Sequence, residues 1–287
     1  MKFTVTRSIK AQQKLSRSLA VRNKSIALVP TMGYLHDGHL ALIRRGLKEA
    51  DIVVTSIFVN PSQFAPGEDF ARYPRDTQGD LKKIKSAGGQ IVFIPKAPDM
   101  YPDDFQTWVD VTDMTKALEG RSRPTHFRGV TTIVTKLFNI VRPDVAVFGM
   151  KDYQQAMVLR QMTRDLNWPI KFIIAPTVRE KDGLALSSRN KYLSPAQRRE
   201  AVALSRSLKA ARQAVRTGKT DIKLLGREMT RIIKETAPSA KIDYIAFTAM
   251  QTLQEVKTVG PDTMASLAVQ IGPVRLIDNM KIGGGKK

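Results

Sequence analysis

The chain alternates short apolar runs rich in β-branched residues with segments whose apolar positions recur at helical spacing. The runs are IALVPTM (26–32), IVVTSIFVN (52–60), IVFIP (91–95), VAVFG (145–149) and IKFIIAP (170–176). Each is shorter than a typical buried helix and too continuously apolar for a strand with one wet face, so each predicts a strand covered on both sides. Helical patterns fall between them at about 38–50, 76–87, 128–141 and 153–166, while FTVT near the start predicts a short strand and 8–19 a helix. Strands and helices in alternation predict an α/β fold built on a doubly wound, parallel, Rossmann-like sheet.

After Ser194-Pro195 the pattern changes. An N-cap serine and N1 proline predict a long helix from Ala196 to about Arg216, closed by Gly218. Asp221 caps a second helix to about Thr236, which Pro238 stops, and IDYIAF (242–247) and SLAVQI (266–271) read as strands. This predicts two domains, 1–180 with the Rossmann-like sheet and 181–287 with a smaller α+β fold. The tail GGGKK is expected to be disordered.

Ligands of a doubly wound sheet bind at the carboxyl ends of its strands, so the residues that follow each run carry the candidate chemistry. IALVP leads into Thr31-Met32-Gly33-Tyr34-Leu35-His36-Asp37-Gly38-His39, and SIFVN into Pro61-Ser62-Gln63-Phe64. VAVFG leads into Met150-Lys151-Asp152-Tyr153-Gln154-Gln155, and FIIAP into Thr177-Val178-Arg179-Glu180. His-x-Gly-His at the mouth of a strand suits nucleotide phosphates, because imidazoles donate to phosphate oxygens and glycine permits close approach at a helix start. On spacing alone the pair could equally lie on a helix surface or form half a metal site. Lys151 can meet phosphates, Ser187-Ser188-Arg189 pairs hydroxyl donors with a guanidinium fork, and Gln63 and Gln155 suit a substrate bearing hydroxyls and a carboxylate.

Composition narrows this picture in two ways. The 287 residues contain no cysteine, which excludes disulfides and thiolate metal sites, and no apolar run approaches a membrane span; a reducing cytoplasm fits. The net charge of +21 raises the possibility of a nucleic-acid partner, yet it divides as +10 over 1–178 and +11 over 179–287, without a long basic block or interleaved aromatics. It reads as a solvated basic surface. The first 24 residues lack acidic side chains, as transit peptides do, but their strand and helix patterns make them part of the fold.

Six segments in order, PTMGYLHDGH, SIFVNPSQF, YPRD, HFRGV, FGMKDYQQ and DGLALSSRN, make the chain resemble the pantothenate synthetase (pantoate–β-alanine ligase) family, from the first core strand to RLIDN (275–279). His-x-Gly-His alone would point only to the wider nucleotidyltransferase superfamily. The resemblance implies an ATP-dependent ligase of the coenzyme A pathway that condenses (R)-pantoate with β-alanine through pantoyl adenylate, releasing AMP and pyrophosphate. It implies His39, His36 and Lys151 as catalytic residues. It assigns ATP to Met32, Gly33, Tyr34, Leu35, His36, Asp37, Gly38, His39, Gly149, Met150, Lys151, Asp152, Val178, Leu186, Ser187, Ser188 and Arg189, under cover of the C-terminal domain. Pantoate and β-alanine fall to Gln63, Gln155 and Asn60. Mg2+ is expected with the triphosphate, with Asp80 as its protein-side carboxylate, and the chain is expected to be a cytoplasmic homodimer. Two positions depart from the family pattern. Met150 stands where a polar or acidic residue is usual, and Gly79 where an acidic one is frequent.

Overall fold

The computed structural model describes residues 2–284; residues 285–287 of the GGGKK tail lie outside the described residues. The chain divides into two compact units, one of residues 1–150 and 155–176, the other of 151–154 and 177–287.

The first unit holds β1 (Thr4–Thr6), α1 (Ile9–Val21), β2 (Ile26–Thr31), α2 (Asp37–Leu47), β3 (Ile52–Ile57), α3 (Thr77–Ser86) and β4 (Ile91–Phe93). The short α4 (Ala97–Met100) and α5 (Glu119–Ser122) follow, then α6 (His126–Val141), β5 (Val145–Gly149), α7 (Tyr153–Asp165) and β6 (Lys171–Ala175). The strands form one parallel six-stranded sheet in the order β1-β4-β3-β2-β5-β6. Alternation along β2 explains why its run is apolar throughout. Ile26 and Leu28 enter a core with residues of α1, α6 and α7, whereas Ala27 and Val29 enter a second core with Leu40 and Ile43 of α2 and Ile84 of α3. Helices therefore cover both faces, and the central strands are buried as their sequences require.

The second unit contains α8 (Pro195–Glu200), α9 (Val202–Arg216), α10 (Ile222–Thr236), β7 (Lys241–Ala249), β8 (Thr263–Ile271) and β9 (Val274–Lys281). Its three strands form an antiparallel sheet, one face of which packs Ala265, Leu267 and Val269 against Leu204 and Leu208 of α9 and Met229 and Ile233 of α10. One expectation needs correction, and one strand was not expected. The long helix from Ala196 is interrupted at Ala201, which keeps helical angles (φ −60°, ψ −21°) while the hydrogen-bonding restarts there. The strand β9, which contains RLIDN, escapes the apolar pattern because the consecutive polar residues Asp278 and Asn279 are both buried.

Candidate functional site

The chain runs from β2 to β3 on one side, while β5 flanks β2 on the other, so the β2–α2 turn stands at the switch point of the sheet. Thr31 Oγ1 donates to the Ser56 carbonyl (2.7 Å) and accepts from Gly33 N (3.2 Å), bending the chain out of the strand. Gly33 (φ +85°) and Tyr34 (φ +53°) both take left-handed angles. At Gly33 a Cβ would also lie 3.1 Å from Asp80 Oδ2 and from Ile57 Cγ2, so conformation and space together require glycine.

Asp80 does work that its sequence position did not suggest. Its two carboxylate oxygens accept from Tyr34 N (2.8 Å) and Leu35 N (2.7 Å), and Lys83 Nζ donates to the Leu35 carbonyl (2.7 Å). Burial pushes the Asp80 carboxyl above its ordinary range, against the opposing pull of the two N–H bonds and Lys83. The carboxylate expected on the metal side is therefore also the anchor of the turn. At Gly79, the backbone N–H donates to Asp76, the N-cap of α3 (2.9 Å), and the Asp76 carboxylate occupies the space a side chain would need.

The two histidines cap α2 reciprocally. Gly38 N donates to His36 Nδ1 (3.2 Å), His36 N donates to His39 Nδ1 (3.3 Å), and the ring centroids are 4.1 Å apart. A nitrogen that accepts carries no proton, so the network assigns both rings the neutral tautomer with hydrogen on Nε2. The arrangement yields two N–H donors at a helix N-terminus, where backbone amides and the helix dipole already favour an anion.

Beyond β3, Gln63 lies on the 3-10 turn Pro61–Gln63. Its Oε1 accepts from Asn60 Nδ2 (3.1 Å) and its Nε2 reaches Met32 Sδ (3.2 Å). Asn60 is only 1% exposed and has all its hydrogen-bonding capacity in use: Nδ2 also donates to the Gly129 carbonyl (3.1 Å), and Oδ1 accepts from Ser62 and Tyr101 (2.9 Å each). Asn60 therefore orients Gln63. Gln155 lies half-buried in the first turn of α7, and no hydrogen bond joins it to Gln63.

In the second unit, Arg179 forks onto Asp278 (2.6 and 2.9 Å), whose side chain is 2% exposed. The neighbouring Asn279 donates to the Lys151 carbonyl (2.8 Å), and the Tyr153 hydroxyl donates to the Met250 carbonyl. RLIDN thus fixes the backbone of Lys151, whose Nζ lies 3.5 Å from Asp152. Val178 and Leu186 are paired through Leu186 N and the Val178 carbonyl (3.0 Å), and the loop between them is tied down by Arg198, which reaches Glu180 (2.6 Å) and Asp182 (2.8 Å). Ser187 caps the 3-10 turn Ser188–Tyr192 by accepting from Arg189 N (3.2 Å). The expected residues accordingly fall into two groups, one in each unit.

A family model for pantoate-beta-alanine ligase matches residues 4–281. The chain belongs to the pantoate-beta-alanine ligase family. The pantothenate synthetase of Geobacter sulfurreducens is 51% identical over 276 residues, covering 96% of this chain and 97% of the relative, and that of Moorella thermoacetica is 52% identical over 259 residues, covering 90% and 91%. The crystal structure of the Thermus thermophilus pantothenate synthetase matches with a TM-score of 0.92 at 41% identity, covering 99% of this chain and 100% of that one. The Francisella tularensis pantoate-beta-alanine ligase, solved in complex with beta-gamma ATP and beta-alanine, matches with a TM-score of 0.81 at 36% identity, covering 98% of each chain. The sequence assigned no task to Asp278 and Asn279 or to the HFRGV segment around His126 and Gly129, and it assigned Asp80 to a metal rather than to the turn. HFRGV and RLIDN stood out only as segments of the family pattern with no chemistry of their own, and Asp80 lies in no such segment.

Proposed function

We infer that the chain works as the ATP-dependent acid–amine ligase that its family membership implies, condensing (R)-pantoate with β-alanine. The pantoate carboxylate attacks the α-phosphate of ATP, forming pantoyl adenylate and releasing pyrophosphate. The β-alanine amine then attacks the acyl carbon, AMP leaves, and pantothenate forms. A carboxylate by itself is a poor acyl donor, and adenylation gives it a leaving group.

The observation that carries this reading is the reciprocal cap of His36 and His39, which supports two Nε2–H donors for phosphate oxygens at the start of α2. They would hold the triphosphate and counter the charge that builds as pyrophosphate leaves, with His39 able to pass its proton to a phosphate oxygen. Met32 and residues 33–39 would shape the ATP site, Gly149, Met150, Asp152, Val178 and Leu186 would contact the nucleotide, and Lys151, Ser187, Ser188 and Arg189 would meet its phosphates. Gln63 and Gln155 would take pantoate, with Asn60 acting through Gln63.

The one carboxylate expected beside the metal ion, Asp80, already accepts two backbone N–H groups, which suits a cation held mainly by the substrate. Mg2+ would arrive on the triphosphate, held by phosphate oxygens and water, and would neutralise phosphate charge. No helix among the described residues is long and apolar enough to cross a membrane. A cytoplasmic homodimer completes the reading. The test is AMP release from ATP with each acid and amine supplied alone and together. We expect AMP turnover only with pantoate and β-alanine both present; turnover with another acid and never with pantoate would refute the ligase assignment.

A further inference from the structure

Gln63 stands on a single 3-10 turn, yet its main chain is held from two directions. Arg123 Nη2 donates to the Gln63 carbonyl (3.2 Å), and His126 Nδ1 meets the same oxygen at 3.0 Å. A carbonyl oxygen can only accept, so His126 donates from Nδ1. The His126 ring is buried, and its pKa is pushed down to about 4, first because burial disfavours the imidazolium and then because Arg123 repels it, against the weaker pull of the Gln63 carbonyl, Glu119 and Glu68. Arg123 is itself oriented by a fork on Glu68, with both N···O distances 2.6 Å.

Close approach completes the arrangement. A Cβ at Gly129, in the first turn of α6, would lie within 2.6 Å of Gln63 N and closer still to the Ser62 carbonyl. The same residue's carbonyl receives Asn60 Nδ2, which also holds the Gln63 side-chain oxygen. Main chain and side chain of Gln63 are therefore referenced to one helix start. A glutamine has three side-chain torsions, so its carboxamide points reproducibly only if the backbone beneath it is fixed.

We propose that Arg123 and His126 are positioning residues for the acid substrate, fixing the Gln63 carbonyl so that the Gln63 carboxamide meets pantoate in one orientation. The proposal rests on the assignment of Gln63 to pantoate made above. Both residues act through Gln63 rather than on the reacting atoms, so their loss weakens pantoate binding without touching the phosphate chemistry.

Steady-state kinetics on the full-length enzyme test this, with His126→Leu, His126→Asn, Arg123→Met and Gln63→Ala compared and thermal unfolding measured for each. His126→Leu and Arg123→Met are expected to raise KM for pantoate about tenfold, while kcat and KM for ATP stay within about twofold. His126→Asn places an amide donor where Nδ1 stood and is expected to restore most of the pantoate affinity. If every kinetic constant shifts in step with lost folded protein, or if His126→Asn is as impaired as His126→Leu, the positioning role is overturned. It is also overturned if Gln63→Ala raises the pantoate KM and the other variants do not. An unchanged pantoate KM in Gln63→Ala would instead remove the assignment of Gln63, and the proposal with it.

Discussion

At the scale of the residue, the decisive atoms are four imidazole nitrogens. The Nδ1 atoms of His36 and His39 accept backbone N–H groups, which leaves each Nε2 as the donor. The cap and the proposed phosphate contact therefore use different atoms of one ring and can be separated. His39→Asn offers an oxygen near the former Nδ1 and nothing at Nε2. It is expected to unfold within a few degrees of the parent, yet to form adenylate about a hundredfold more slowly, the scale of one lost donor to developing charge. Near-parental adenylation would remove His39 from the chemistry.

His126 yields a second prediction at this scale. Its folded pKa of about 4 lies below the ordinary 6.5, so between these values the unfolded chain binds the extra proton. Stability contributed by the neutral ring is present above about pH 6.5 and lost as pH falls towards 4, by roughly 3 kcal/mol. Denaturant titrations at several pH values should show this acid slope in the parent and a flatter one in His126→Asn. Equal slopes would mean that His126 is not held neutral.

At the scale of the element, legibility followed burial. β2, β3 and β5 were readable because strands covered by helices on both faces are apolar at every position. β9 was not, since Asp278 faces Arg179 and Asn279 faces the Lys151 carbonyl, partners distant in sequence that turn two core positions polar. The His-x-Gly-His turn announced itself, being local. Its anchor did not, because Asp80 meets Tyr34 and Leu35 across more than forty residues of chain and has no marking pattern. Gly129 belongs to the same class: its glycine is needed for the approach of α6 to the Pro61–Gln63 turn, a contact no helical periodicity reveals. Gly129→Ala should destabilise the protein by about 1–3 kcal/mol through forced displacement of that turn. Unfolding equilibria within ~0.5 kcal/mol of the parent would show that the turn yields freely.

At the scale of the whole molecule, the outstanding property is the charge of +21. The exposed side of α9 carries Arg206, Lys209, Arg212 and Arg216, and the helix contains no acidic residue. Its apolar side is committed to the core through Leu204, Leu208 and Ala211, and no aromatic stands among the cations to stack on a base. Such a face is solvated, and binding to labelled duplex DNA should be weaker than about 10 µM at roughly 150 mM salt. Submicromolar binding with a log–log salt slope of about −4 or steeper would instead make the surface a nucleic-acid site.

The central claim is that the chain activates pantoate by adenylation at the His36–His39 turn before β-alanine enters. Pantoate-dependent exchange of labelled pyrophosphate into ATP, measured without β-alanine, tests it most directly. The account predicts exchange that requires pantoate and falls about a hundredfold in His39→Asn. Exchange that is absent, or that proceeds equally in the variant or without pantoate, would contradict it.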